Sequence, residues 1–414
     1  MIKSKIINET WRPSVKTSIT AIGNKVLDAV FVPNSETIIA SSDNLSVAIY
    51  QKHDTKYWPS NTQVLPSNAH SLCVTPSPFK QSLVILFVGQ ENGTISEYHL
   101  TADTNSMTHQ RDILAHTGKI TGLAVDLPDE WLISVAEDKK LVLTCLKTNK
   151  ILTSHKLDAA ATCLAFDASV RYCFIGDTTG NITILSLKAT SIDITIVNIL
   201  KSHSAAITSV TWHETDLTLA SSSKDNLVII WDIRGSQALD LHAHKDVATS
   251  VAWWLQGAGK LMPQAKKSTK EPSILVSAGL DGKVIFWLND LDRKESTKWK
   301  ESNCCQLCGG AFIWNIKKII EDACFGSMQH HCRRCGKAVC QKCSPHTSTL
   351  PSSGYETAVR VCKDCEQSAT DDEKNSMAII VDGSDQLTRI KIDESHNRML
   401  LLSRSAQMKI MAFD

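Results

Sequence analysis

Four Cys-x-x-Cys pairs crowd one short segment late in the chain: Cys305/Cys308, Cys332/Cys335, Cys340/Cys343 and Cys362/Cys365. Two cysteines three apart can bring both sulfurs onto one tetrahedral ion. Eight thiolates therefore suffice for two closed four-cysteine sites holding two structural Zn2+. A closed site leaves no open coordination position, so this zinc is expected to support a fold rather than a reaction. The segment is too poor in apolar residues to build a sizeable core, and metal binding has to supply much of its folding free energy. Disulfides are the competing use of paired cysteines. Met1 to Trp11 holds lysines and polar residues but no apolar run of a secretory leader, which favours metal. Cys304 and Cys324 fall outside the pairs and are read as spectators.

The second pair sits in Gln329-His330-His331-Cys332-Arg333-Arg334-Cys335-Gly336, and Arg360-Val361 precedes Cys362. With Trp299 upstream, this pattern resembles the FYVE zinc finger, a module that binds phosphatidylinositol 3-phosphate on endosomal membranes. The resemblance runs from Trp299 to Cys365. It implies interleaved metal sites, pairs one and three on one ion, pairs two and four on the other. It also implies that His330, His331, Arg333, Gly336 and Arg360 form the headgroup site. Arginine suits that role because its planar fork donates paired hydrogen bonds to phosphate. Phe325 and Met328, just before the histidines, are expected to dip into the bilayer, whereas Ile316, Ile319 and Ile320 are expected to pack internally. Met328 and Gln329 stand where the family has two basic residues, and Trp299-Lys300-Glu301 ends in Ser302 rather than aspartate. A RING-like ubiquitin ligase also interleaves eight zinc ligands, but it normally includes a histidine ligand, and here cysteine fills every place.

Outside this module, β-branched runs alternate with Ser/Asp/Gly/Asn turns, at roughly the 40–45-residue period of propeller blades. The clearest unit spans 202–235 and contains His203, Leu219-Ala220-Ser221-Ser222-Ser223, Asp225 and Trp231-Asp232. It resembles the WD repeat, in which His203, Ser222, Asp225 and Trp231 would form a hydrogen-bonded tetrad. Their spacing inside the repeat assigns them to structure rather than chemistry. His244, Asp281 and Trp287 mark the next unit, stretched by an insertion near 257–272. His116 with Asp138 marks an earlier one. Turn-then-strand signals at 177–185, 91–98 and 41–50 mark three more. A last unit follows the cysteine-rich segment. Its Phe413-Asp414 occupies the Trp-Asp position, so the expected fourth strand must come from residues 14–22, closing the ring.

The expected fold is therefore mainly β: a seven-bladed WD-repeat propeller with a small two-zinc FYVE-type finger inserted before the last blade. Residues 1–290 are assigned to the closing strand and blades one to six, 298–368 to the finger, and 376–414 to blade seven. Charged linkers at 290–300 and 366–375 are expected to let the finger project. Net charge is +1, which argues against nucleic acid as partner. No run of roughly 18 apolar residues is present to span a bilayer. No Gly-rich phosphate loop, activated nucleophile or open metal position points to an enzyme. The whole arrangement resembles the WD-repeat and FYVE-domain proteins. That implies a cytoplasmic adaptor, peripheral on early endosomes, that docks signalling proteins such as protein kinases on its propeller. A soluble cytosolic scaffold with weakened lipid binding is the alternative.

Overall fold

Short β-branched runs pair with their chain neighbours where short turns, such as 43–45, 91–93 and 224–227, return one strand antiparallel to the last. The computed structural model describes residues 13–80, 83–101, 106–189, 192–233, 237–255, 273–288, 293, 297–321, 326–383 and 385–412. In these, seven four-stranded antiparallel sheets form a ring. The first strand of each sheet lies innermost and touches the first strand of the next, from Val26–Phe31 round to Leu387–Asp393 and back to Val26–Phe31. Apolar side chains fill the space between neighbouring sheets, as where Trp254 and Phe286 of the sixth meet Met399, Leu401 and Met411 of the seventh.

Ring closure follows the expected route. Ser14–Thr20 is the outer strand of the seventh blade, pairing Ser14 with Ala412 and Thr20 with Gln407. Ile19 on this strand packs with Leu400, Met408 and Ile410 and with Ala40 and Tyr50 of the first blade, so apolar burial seals the join. Across the same join, Arg389 pairs with the buried Asp28 carboxylate at 2.9 Å. Phe413 and Asp414 lie outside the described residues.

The blade tetrad forms with one change of partner. His203 Nδ1 lies 2.9 Å from Asp225 Oδ2, and its Nε2 lies 2.8 Å from Ser221 Oγ, which also accepts from Trp231 Nε1 at 2.9 Å. The serine is thus Ser221, not Ser222. Strand side chains alternate between faces. The register pairs Leu219 with Trp231 and Ser221 with Ile229, which puts Ser221 on the tryptophan's face. Ser222 points the other way and meets Thr208 Oγ1 at 2.8 Å. The sixth blade repeats the set with His244, Asp281, Ser277 and Trp287. The third keeps His116, Asp138 and Ser134 but has Thr144 at the tryptophan's register position.

The finger enters one strand earlier than expected. Ala378–Asp382 pairs with Lys283–Leu288 and is the outer strand of the sixth blade, so the finger interrupts that blade between its third and fourth strands. Blade seven starts at Leu387, not near 376. Nor does the finger project on free linkers. Arg293 is buried at the seam, donating to Pro351 O at 3.1 Å and Met377 O at 2.7 Å, and pairing with Glu356 at 3.6 Å. Burial pushes the Glu356 carboxyl above its usual range and the Arg293 guanidinium down to about 10. Desolvation therefore outweighs their mutual attraction. Alongside, His242 of the fifth blade donates its N–H to Gly354 O at 2.8 Å and accepts from Glu356 N at 3.0 Å. Its ring stacks on Tyr355 at 4.3 Å. Gly354 has φ of 87°, and a Cβ there would sit 2.0 Å from Asp240 O, so only glycine lets the two backbones approach this closely. Linker length alone would give a mobile tether; these contacts give a docked finger.

Candidate metal centres and basic cup

The cysteines gather as two groups, Cys305, Cys308, Cys340 and Cys343 in one, Cys332, Cys335, Cys362 and Cys365 in the other, with each group's sulfurs within 4.8 Å of one another. Pairs one and three share one site and pairs two and four the other, which is the interleaved order. Cys308 and Cys340 sulfurs are 3.8 Å apart, Cys335 and Cys362 sulfurs 3.9 Å. A tetrahedron with bonds of ~2.3 Å has edges of about 3.8 Å, so these spacings fit zinc. The surroundings favour a thiolate at Cys305 and at Cys332. Burial opposes ionisation of Cys305, but the N–H groups of Cys308, Cys340 and Leu307 outweigh it and bring the thiol down to about 7. In the second group, Cys362 N donates to Cys332 Sγ at 3.3 Å. Four thiols in so small a space cannot all ionise beside one another without a dication. Burial and the neighbouring sulfurs push Cys343 and Cys365 upward. The donor set thus fits two zinc ions, each held by four cysteines.

Local turns explain the spacing. After Cys332 the chain doubles back, with Gly336 N donating to Cys332 O at 2.8 Å and Gly336 at φ of 74°. A Cβ at Gly336 would strike Lys298 O at 2.3 Å. Gly336 is therefore packed against the segment carrying Trp299, and it does not line the cup described next.

His330, His331, Arg333 and Arg360 do converge. With Trp299 and Gln329 they line a cavity of about 220 Å³. His330-His331 pairs with Ala338-Val339 in a two-stranded ribbon, and Arg333 N donates to Arg360 O at 3.0 Å, which ties the two arginine segments together. The Arg333 guanidinium lies 4.5 Å from the Trp299 ring centre, and Trp299 stacks on His331 at 4.8 Å. Gln329 donates to His331 Nε2 at 3.0 Å, and Arg360 Nη1 donates to Ser344 O at 2.7 Å. Burial, then the charges of Arg360, Arg333 and His331, hold His330 below the usual histidine range. Arg334 faces away, onto Glu373 at 2.8 Å. Trp299 and Gln329 were not among the expected cup residues. The upstream tryptophan motif is the available signal for the first, whereas Gln329 reads in sequence only as a missing charge.

An apolar ledge continues from the cup. Ser327 N donates to Ala311 O, and Ile313 N donates to Ser327 O, joining the residues before Gln329 to the stretch that leads into the short helix Ile316–Glu321. Met328 is 64% exposed. Ile316 and Ile320 are 66% and 73% exposed, so they do not pack internally; nothing among the described residues covers them. Ile313 and Trp314 are half-exposed beside them, and Ile319 alone turns inward, against Gly326. Phe325 lies outside the described residues. No helix of the described residues is long and apolar enough to cross a membrane.

Comparisons with known proteins agree with this geometry. Residues 295–371 match the family model of the FYVE zinc finger, and residues 194–232 that of the WD domain, G-beta repeat. The chain is 31% identical over 405 residues to WD repeat and FYVE domain-containing protein 1 of Mus musculus, covering 97% of this chain and 93% of that one. It is 33% identical over 383 residues to WD repeat and FYVE domain-containing protein 2 of Homo sapiens, covering 92% and 91%. A shorter stretch of 84 residues is 35% identical to vacuolar protein sorting-associated protein 27 of Eremothecium gossypii, 20% of this chain and 12% of that one.

Proposed function

Because the chain belongs to the family of WD repeat and FYVE domain-containing proteins, we propose that it is a non-enzymatic adaptor of early endosomes. Its finger grips phosphatidylinositol 3-phosphate, and its propeller docks signalling proteins, protein kinases among them. The observation that carries this reading is the cup, where two histidines and two arginines meet beside an exposed apolar ledge. The arginines and histidines supply donors to a phosphate. The ledge supplies apolar surface to the acyl boundary, so two contacts share the work of membrane binding. Likeness over 84 residues to a vacuolar protein sorting-associated protein supports a role in membrane traffic.

Sedimentation with vesicles containing phosphatidylinositol 3-phosphate tests it. Arg333→Ala removes one charged donor, worth ~1.5–3 kcal/mol. Vesicle affinity should fall roughly tenfold to a hundredfold while zinc content stays unchanged. Unaltered binding by the variant would place the lipid elsewhere. Gln329 in the cup, where the family has a basic residue, favours the second reading of a cytosolic scaffold; wild-type protein that ignores the lipid would establish that reading instead.

The ledge has its own test. Each isoleucine that enters an apolar phase contributes ~1.5–3 kcal/mol. Ile316→Ser with Ile320→Ser should weaken vesicle binding by roughly tenfold or more, yet leave the thermal melt unchanged because neither side chain is buried. Full binding by the double variant would confine insertion to Met328 and its neighbours.

A further inference from the structure

The cleft between the second and third blades encloses about 400 Å³ that neither the cup nor the tetrads use. Its floor is apolar, with Ile85 and Phe87 of the second blade and Leu146 of the third buried beneath it. Phe79 stands at the lip, 51% exposed. The loop that carries Phe79 is held in shape: Ser77 Oγ accepts from Phe79 N at 3.2 Å and Lys80 N at 3.3 Å, and Ser77 N donates to Leu83 O at 2.8 Å. One wall is a buried carboxylate, Glu97, which accepts from Arg111 Nε at 2.7 Å and lies 2.9 Å from His99 Nε2. Arg111 Nη2 donates to Leu146 O at 2.7 Å, so a single guanidinium spans the two blades. Glu97 and Arg111 balance one another. Lys80 and Lys147 at the rim have no ion-pair partner among the described residues, which leaves the cleft net positive over an apolar floor.

A floor of this kind takes a large apolar side chain, and a rim of this charge takes carboxylates and repels cations. We propose that this cleft seats an acidic segment of a partner protein, which inserts one large apolar side chain between the blades and sets its carboxylates against Lys80 and Lys147. This deepens the docking half of the reading above and is independent of the lipid half. The preorganised Arg111 bridge means the cleft is ready before the segment arrives, so little ordering cost falls on the propeller side.

Fluorescence anisotropy with the full chain tests the assignment. Labelled short peptides carrying one Leu, Phe or Trp between glutamates should include at least one binder, and matched peptides flanked by lysines should not bind. Lys80→Glu with Lys147→Glu should weaken the binder by roughly tenfold or more and leave vesicle sedimentation unchanged. Failure of every glutamate-flanked peptide overturns the site. Binding that survives both reversals also overturns it, because the peptide then sits elsewhere on the propeller and the docking role stands without this cleft.

Discussion

Stripping zinc with a chelator should unfold the finger and leave the ring of blades standing. Among the described residues, the buried cluster of the finger is made of Cys305, Cys332, Cys340, Cys362 and Cys365 with only Phe312, Ala338, Val339, Leu350, Tyr355 and Val361 as other buried members. Burying a large apolar side chain contributes ~1.5–3 kcal/mol. Ordering a residue costs about 1.5 kcal/mol, so a handful of such side chains cannot offset the ordering of the whole module. Metal binding, ~10–16 kcal/mol for a structural zinc in finger peptides, is the missing contribution. The blades depend on no metal, because their clusters are apolar and closed on themselves. Elemental analysis should find two zinc ions per chain. After chelation, far-ultraviolet dichroism should keep its β signal, the fluorescence of Trp299 and Trp314 should change, and binding to vesicles with 3-phosphorylated lipid should vanish. Cys332→Ser should reproduce the loss for one site. A chelated chain that melts and binds vesicles as before would show that the eight thiolates do not carry the fold.

How much of this was legible in the sequence depends on the range of each interaction. The Cys-x-x-Cys pairs are local: each pair sits on one turn, and Cys305/Cys308 reads as a chelate without any knowledge of the fold. Which pair joins which is long-range, and spacing alone left it open until the resemblance supplied the order. The blades announce themselves through Trp231-Asp232 and the Asp or Asn turns, but register does not. Ser221 and Ser222 are chemically alike, and only the partner strand decides which one meets Trp231. Outer strands carry no tetrad residue and one exposed face, so Ala378–Asp382 gave no sign that it belonged to the interrupted blade. The helix Ile316–Glu321 misled for a related reason. Apolar residues at 316, 319 and 320 make a stripe, and a stripe records that a surface exists without saying whether protein or lipid covers it. Arg293 and Glu356 were invisible as a pair, since Arg293 lies in a charged stretch that reads as solvated linker and Glu356 lies far along the chain inside the finger.

That pair predicts the second large effect: Glu356→Ala should release the finger from the propeller. The carboxylate accepts from Met377 N at 3.1 Å and from Ser376 Oγ at 2.8 Å, and it faces Arg293 at 3.6 Å with both side chains almost wholly buried. Without it the guanidinium stays desolvated beside Trp287, 5.6 Å from that ring centre, with only carbonyl partners. Removing one partner of a buried pair typically costs ~3–5 kcal/mol, because the remaining charge is uncompensated. Undocking relieves that cost by letting Arg293 reach water. The His242–Tyr355 stack and the bridge through Gly354 would then be lost with it, since they sit on the same strand of the finger. Limited proteolysis should therefore cut near Arg293 faster in the variant, and the thermal midpoint should fall by several degrees. Zinc content should not change, because no ligand is touched. The double variant Arg293→Met with Glu356→Leu removes both charges and keeps the volume, so it should be markedly more stable than Glu356→Ala alone. If the single variant melts and resists protease like the parent, the seam does not hold the finger. If the double variant is as weak as the single, the loss comes from the hydrogen bonds to residues 376 and 377 rather than from a stranded charge.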